Sequence, residues 1–292
     1  MNSRSDVFPQ LVLVLVTLLW GSTFLTLQVA LQWADASVIV AWRFALACLF
    51  YVFILRSKIF KVRAQEWFAG ALTGASIYIV FLFQTIGLAS IPSSTSAFLT
   101  GLYVAFVPIL QWLCFRTRPN NNVILGVILA FIGMSLLANP FEMSFSNNIG
   151  EWITIVSAFM CAVEILLTAK FAPKCHPLHL GFVQMVTVMV LSALTVFIFE
   201  PSRPTQYCWQ LGALIGVLAA IVAFIQFVIS WALKTVPALR ATMIYSLEPV
   251  FAGIIGWMAG ERLGWLGLSG GALIVGAVLI SSLKPKKLRL EK

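Results

Sequence analysis

Residues 10–31 read QLVLVLVTLLWGSTFLTLQVAL, a run of 22 residues without a single charge. Wound as a helix it is about 33 Å long, enough to cross a hydrocarbon layer of about 30 Å. Ala34-Asp35-Ala36 follows and matches an A-x-A cleavage pattern. The apolar run is nevertheless longer than the roughly 7–15 residues of a signal-peptide core, so the segment reads as a first membrane span.

Nine further runs of the same kind follow, at approximately 37–55, 67–88, 93–114, 122–138, 150–170, 177–199, 210–233, 239–259 and 264–283. Turn residues separate them: Pro92, Pro119 with Asn120 to Asn122, Pro140, Pro173 and Pro177, Pro201 and Pro204, and Pro237. The runs are continuous rather than alternating, which excludes a β-barrel. Composition agrees. Of 292 residues 61% are hydrophobic and 10% charged, against about a quarter charged in soluble domains. No polar stretch is long enough for a separate soluble domain. The expected fold is an all-α integral membrane protein with ten transmembrane helices.

The net charge of +9 would suit nucleic acid only if the basic residues clustered on one face. They sit instead in short connections, so no nucleic-acid partner is expected. Numbered by span, the N-terminus, the even loops and the C-terminal tail carry 16 Lys and Arg, whereas the odd loops carry only Arg203 and Arg262. Arg43 lies inside span two. This asymmetry places both termini in the cytoplasm.

The chain also echoes itself. Ile91-Pro92 precedes span four as Val236-Pro237 precedes span nine, and Pro108 and Pro249 follow inside those spans. Spans five and ten are both glycine-rich, with Gly126 and Gly133 against Gly270, Gly271 and Gly276. The expected units are residues 1–142 and 143–292. Five helices per unit is an odd number, so the units would enter the membrane in opposite senses. Transporters built this way hold their substrate between the repeats, near the midplane.

Leu19-Trp20-Gly21-Ser22-Thr23-Phe24 opens span one, and Trp42-Arg43-Phe44 lies in span two. Phe98-Leu99-Thr100-Gly101-Leu102-Tyr103, with Val107-Pro108, forms span four. Leu247-Glu248-Pro249-Val250-Phe251 lies in span nine, and Gly260-Glu261-Arg262-Leu263 forms the loop that follows it. Through these stretches the whole chain resembles the drug/metabolite transporter superfamily, its EamA-type members in particular. The Gly-Glu-Arg usual after the fourth helix is replaced here by Phe115-Arg116-Thr117-Arg118. The resemblance implies two inverted five-helix repeats, a cavity lined mainly by spans one, three, four, six, eight and nine, and spans five and ten at the periphery or at a homodimer contact. It also implies a bacterial inner membrane and export of amino acids or related metabolites. It does not select the solute.

Three ionisable residues lie within apolar spans: Arg43, Glu164 and Glu248. Such groups are costly in hydrocarbon and face a cavity or a partner. Glu164 sits about 7 residues from the cytoplasmic end of span six, roughly 10 Å deep. It reads either as a carboxylate for proton coupling or cation binding, or as one paired structurally. Glu248 precedes Pro249, which removes an amide donor and disturbs the helix near Tyr245 and Ser246. A broken helix at mid-depth is a transporter site element. Yet the motif is shared across substrates, so gating or structure competes with substrate selection here. Arg43 could extend its stem to the outer interface or meet a substrate carboxylate. Trp20, Thr23, Tyr78, Phe98, Thr100, Tyr103, Gln184, Gln226 and Tyr245 supply the rest of the expected cavity, whose partner is a small-molecule substrate. Trp33, Trp67, Trp152, Trp209 and Trp265 stand at span ends, as belt anchors do.

Gly70/Gly74, Gly212/Gly216, Gly256/Gly260 and Gly267/Gly271 have G-x-x-x-G spacing, which lets helices approach closely. The last pair would also serve a homodimer contact through span ten. Cys48, Cys114 and Cys161 read as buried small hydrophobes. Together with Cys175 and Cys208 they form no C-x-x-C pair, so neither zinc nor a disulfide framework is indicated.

Enzyme readings lack parts. Gly267-Leu268-Ser269-Gly270 looks like a serine-protease motif, but its base would have to be His176 or His179, expected on the opposite face. Those histidines have only Cys175 as a helper for a metal. No phosphate loop occurs, and no cofactor is expected. The rivals to metabolite export are a multidrug or nucleoside exporter and a channel-like or sensory membrane protein. A channel needs a polar ring or carbonyl filter along its pore, whereas the polar residues here are isolated.

Topology is directly testable. In a background without the native cysteines, Asn147→Cys should react with an impermeant maleimide added to intact cells. Lys61→Cys should react only once the membrane is opened. The reverse pattern would exclude the ten-span, N-in topology.

Overall fold

A computed structural model describes residues 7–91, 93–116, 118–137, 148–199, 201, 204–258 and 264–282. Pro92, Thr117, Pro140, Asn147, Arg203, the stretch from Gly260 to Leu263 and the basic C-terminal tail lie outside them. Twelve α-helices account for the apolar runs: α1 (Val7–Ala30), α2 (Ala36–Leu55), α3 (Ala64–Leu88), α4 (Ser93–Gly101), α5 (Tyr103–Phe115), α6 (Asn121–Leu137), α7 (Ile149–Phe171), α8 (Pro177–Ile198), α9 (Trp209–Ala232), α10 (Ala238–Tyr245), α11 (Glu248–Met258) and α12 (Trp265–Ser282). Spans four and nine are each two helices rather than one. Span four breaks at Leu102, six residues before Pro108, and span nine breaks at Ser246 and Leu247. By length and composition, nine stretches among the described residues can cross a membrane. The remaining expected span, Asn121–Leu137, is apolar but shorter.

Local chemistry sets the helix starts. Asp35 caps α2 by accepting from the Ala36 amide, and Asn148 caps α7 by accepting from Gly150, each satisfying an amide the first turn leaves open. Pro177 begins α8, where its missing donor costs nothing. Glu66, in the first turn of α3, does more than cap. Its carboxylate accepts from the Arg63 amide at 3.0 Å, Arg63 Nη2 at 3.1 Å, the His176 amide at 2.8 Å and His179 Nδ1 at 2.9 Å. Arg63 Nη2 also donates to the Lys174 carbonyl at 3.0 Å. The connection before α3 is thereby tied to the connection between α7 and α8. At the other end of the bundle the Gln206 amide donates to the Trp33 carbonyl at 2.8 Å.

The helices pack in a pattern with internal order. α3 lies against α7 and α8, α9 against α1 and α2, α4 and α5 against α7, and α10 and α11 against α1. α2 meets α8, and α6 meets α12. Exchanging each span with the one five positions later returns the same pairings. Outward faces are apolar. Phe53, Phe68, Leu113, Phe197 and Leu279 are exposed, as side chains facing lipid would be. Trp67, Trp152, Trp209 and Trp265 are exposed near helix ends as well. Cys114 shares this outer face and is not a core residue.

Glycine lets neighbouring helices approach closely. A Cβ on Gly270 of α12 would stand 2.6 Å from the Leu137 amide nitrogen, and one on Gly133 of α6 would stand 2.7 Å from the Gly270 carbonyl oxygen. The Gly270 side of span ten is therefore occupied by α6, whereas Gly271 looks toward Val250 of α11. Gly70 and Gly74 likewise let α3 approach Val183 and Thr187 of α8. A Cβ on Gly212 or Gly216 would meet nothing within 4 Å among the described residues, so their spacing reflects no close helix contact there. Gly270→Ala should accordingly lower the thermal midpoint of purified protein, by the equivalent of about 1–3 kcal/mol for overpacking. Gly212→Ala should leave the midpoint unchanged or raise it slightly, since alanine favours a helix by about 1 kcal/mol. Equal loss in both would sink the close-packing account.

Candidate functional site

Six spans surround one central cavity of about 520 Å³ of atom-free space, counting its mouth. α1 contributes Trp20, Thr23 and Phe24, and α3 contributes Ile77, Val80, Phe81 and Gln84. Those α3 positions, at i, i+3, i+4 and i+7, fall on one helical face. Thr100 and Tyr103 come from either side of the α4–α5 break, Cys161 and Glu164 from α7, Gln226 from α9 and Glu248 from α11.

The two breaks make the centre polar. Pro249 has no amide hydrogen to close on the Tyr245 carbonyl, and the last turn of α10 tightens instead through Leu247 to Ile244 at 3.1 Å. Glu248 then opens α11, where the helix N-terminus favours a negative charge. Tyr103, the first residue of α5, donates to Glu248 Oε2 at 3.3 Å. Glu164 accepts from Thr168 Oγ1 at 2.8 Å, one turn along α7. Gln84 donates to Thr100 Oγ1 at 3.2 Å. Thr23 turns its hydroxyl back to the Trp20 carbonyl at 2.7 Å. The Gln226 Oε1 is buried without a partner among the described residues. Two carboxylates thus line the cavity, and among the described residues no Lys, Arg or His does.

Of the residues singled out in the sequence, Trp20, Thr23, Thr100, Tyr103, Glu164, Gln226 and Glu248 meet at this cavity. The others lie elsewhere. Tyr245 is buried behind Trp20, ring against ring at 5.2 Å. Phe98 belongs to the apolar core and leans on Phe131 of α6 at 6.3 Å. Tyr78 faces α8, its hydroxyl bonded to Thr195. Gln184 donates to Thr73 at 3.0 Å between α8 and α3. Pro249 is buried at the start of α11. Arg43 does not reach an interface: it is 1% exposed, with its guanidinium carbon 4.7 Å from the Phe81 ring centroid. Its helix, α2, contributes nothing to the cavity wall. Gln84 and Phe81 are lining residues that the sequence does not single out, and Cys161, read there as a buried small hydrophobe, stands on the cavity wall as well. Gln84 carried a usable signal, an amide inside an apolar span. Phe81 and Cys161 carried none, since apolar residues of a cavity wall resemble apolar residues of the core.

Comparison with known proteins agrees with this architecture. The EamA-like transporter family matches residues 8–139 and again 148–283. A protein of Archaeoglobus fulgidus, named an uncharacterized transporter, is 29% identical over 95% of this chain and 87% of its own length. The uncharacterized transporter YyaM of Bacillus subtilis is 24% identical over 90% of this chain and 89% of its own. A solved crystal structure superposes with a TM-score of 0.76 at 15% identity, over 95% of this chain and 97% of the other, a likeness of fold alone.

The geometry separates wall from core experimentally. Trp20→Ala should weaken transport about tenfold, the scale of one aromatic contact of roughly 1 kcal/mol, while thermal stability stays near wild type. Phe98→Ala should instead destabilise the protein by about 3–5 kcal/mol, as a core cavity does. Stability and transport measured on both variants decide the matter. A stable Phe98→Ala with impaired transport would move that residue into the site.

Proposed function

The chain belongs to the EamA-like transporter family, and on that premise we propose that it exports amino acids or closely related amine-bearing metabolites by alternating access. It is a multi-pass membrane transporter. The observation that supports the finer reading is the cavity wall, with two buried carboxylates and no basic side chain. Each carboxylate has a single hydroxyl donor among the described residues, although an ionised carboxylate can accept about four hydrogen bonds. A solute ammonium brings three donors and the opposite charge. Trp20 adds a ring face, which also attracts cations.

Residues 1–142 and 143–292 form the two inverted repeats in this proposal. Their rocking about the central cavity exposes the solute to one side and then the other. The exchange pattern in the packing supports this division, and the 16-to-2 charge asymmetry supports cytoplasmic termini in a bacterial inner membrane. A homodimer would use the face of α12 turned away from α6.

The absence of a lining cation also favours a second reading, export of organic cations. Uptake into proteoliposomes, screened across amino acids, nucleosides and lipophilic cations with and without a pH gradient, tests both. Amino acids should be carried and nucleosides should not. Lipophilic cations alone would replace the first reading with the second, and nucleosides alone would remove both.

Glu164 is the proposed coupling group, alternately holding a proton and yielding to the solute. Glu164→Gln mimics its protonated form permanently. The variant should still exchange labelled for unlabelled solute, because exchange needs only reorientation of the loaded carrier. It should lose accumulation driven by a pH gradient, because no proton can be released. Loss of exchange as well would make Glu164 an anchor for the amine. Unchanged driven transport would remove it from the mechanism.

A further inference from the structure

Arg43 is buried, and among the described residues no charge answers it. Its Nε and Nη2 have no hydrogen-bond partner among the described residues, and the ion pairs found there involve Glu66 instead. A guanidinium keeps its charge at neutral pH and cannot escape the cost of burial by neutralising itself. Its surroundings are two rings. The guanidinium carbon lies 4.7 Å from the Phe81 centroid and 5.9 Å from that of Phe44, and the rings meet edge to face at 5.1 Å. Ring faces offer a cation some attraction but accept no N–H···O bond. The planar donor fork that matches a carboxylate is unused.

Phe81 connects this group to the cavity, because the same ring lines the cavity and covers the guanidinium. Its neighbours on the α3 face, Ile77 and Gln84, also line the cavity. Phe81 is thus the side chain that stands between the fork and the cavity.

We infer that Arg43 is the second anchor of the transported solute: it takes the carboxylate of a zwitterion whose ammonium lies at Glu164 and Glu248, and Phe81 is the shutter between them. The inference rests on the reading of the cavity as an amine site. It adds a selection rule. A simple amine leaves Arg43 unmet, and a simple acid meets the two cavity carboxylates with no ammonium to offset them. An amine and a carboxylate on one molecule satisfy both.

The test uses the purified full-length protein and a defined set of probes: the common amino acids, the amines made by removing their carboxylate, and the acids made by removing their amine. Dissociation constants come from competition binding, and counterflow in proteoliposomes checks them. At least one amino acid should bind about tenfold or more tightly than its own amine, the scale of a charged hydrogen-bond pair. In Arg43→Gln that ratio should fall to about one, and in Arg43→Lys it should fall part way, because a lysine lacks the fork. A ratio near one in the wild type, or a ratio unchanged in Arg43→Gln, overturns the inference and leaves the amine site standing. If neither amino acids nor amines bind, the reading of the cavity fails, and the inference fails with it. Should Arg43→Gln not fold, Phe81→Ala gives an independent answer. With the ring gone, the deaminated acids should gain affinity relative to the amines, and no gain overturns the shutter.

Discussion

Hydrocarbon offers no water to the backbone, so every amide and carbonyl inside it must be satisfied by its own helix. That constraint organises the fold. Most spans are unbroken helices, and the two that break do so at the centre, around the cavity. Tyr103 and Glu248, the first residues after the two breaks, are joined by a hydrogen bond. The polar site and the helix breaks are therefore one feature. Backbone freed by Pro249 is tolerable only where a cavity receives it, and the cavity exists because α4, α5, α10 and α11 do not run straight through. The periphery shows the opposite solution. α6 and α12 meet through Gly133 and Gly270 at a distance that admits no side chain.

Glu66 shows what a carboxylate fixed for structure looks like in this protein. It is fully buried and accepts four hydrogen bonds, from two amides, a guanidinium and an imidazole. Glu164 and Glu248 are as deep in the protein, yet each has one hydroxyl. The contrast argues that their remaining capacity is kept for something that comes and goes. Arg43 has the same shortfall with the opposite sign. A buried polar or charged group left short of partners costs free energy, so three such groups around one cavity, two lining it and one a ring away, are poor scaffolding and good recognition.

Span positions, helical class and much of the cavity were legible in the sequence because they follow from local composition. A run such as 10–31 has one reading in any context, and an ionisable residue inside such a run draws attention by its cost. Trp20, Thr100, Tyr103, Glu164, Gln226 and Glu248 all come together. What local composition could not carry was azimuth. Phe98 and Tyr78 occupy comparable depths to Trp20 but point at α6 and α8, and nothing in a uniformly apolar span marks which side faces inward. The break in span four was hidden for a related reason. Pro108, the visible breaker, sits inside α5, while the helix is interrupted at Leu102, beside Gly101, whose open side meets Met134 of α6 and Pro249 of α11.

The packing is nearly symmetric between the proposed repeats, but the chemistry is not. Glu164 and Glu248 belong to the second repeat, as do Cys161 and Gln226. Arg43, Phe81, Gln84, Thr100 and Tyr103 belong to the first. In the proposed arrangement the two repeats thus face each other with the carboxylates on one side, and an arginine behind an aromatic ring on the other. A solute with both charges would be held by both repeats at once, its ammonium on one and its carboxylate on the other. Its binding energy would then depend on how the repeats sit relative to each other, which is the coordinate that alternating access moves along. A solute with one charge would grip one repeat and leave that coordinate unbiased. On this argument the asymmetry of charge is what would let a symmetric fold respond to its cargo.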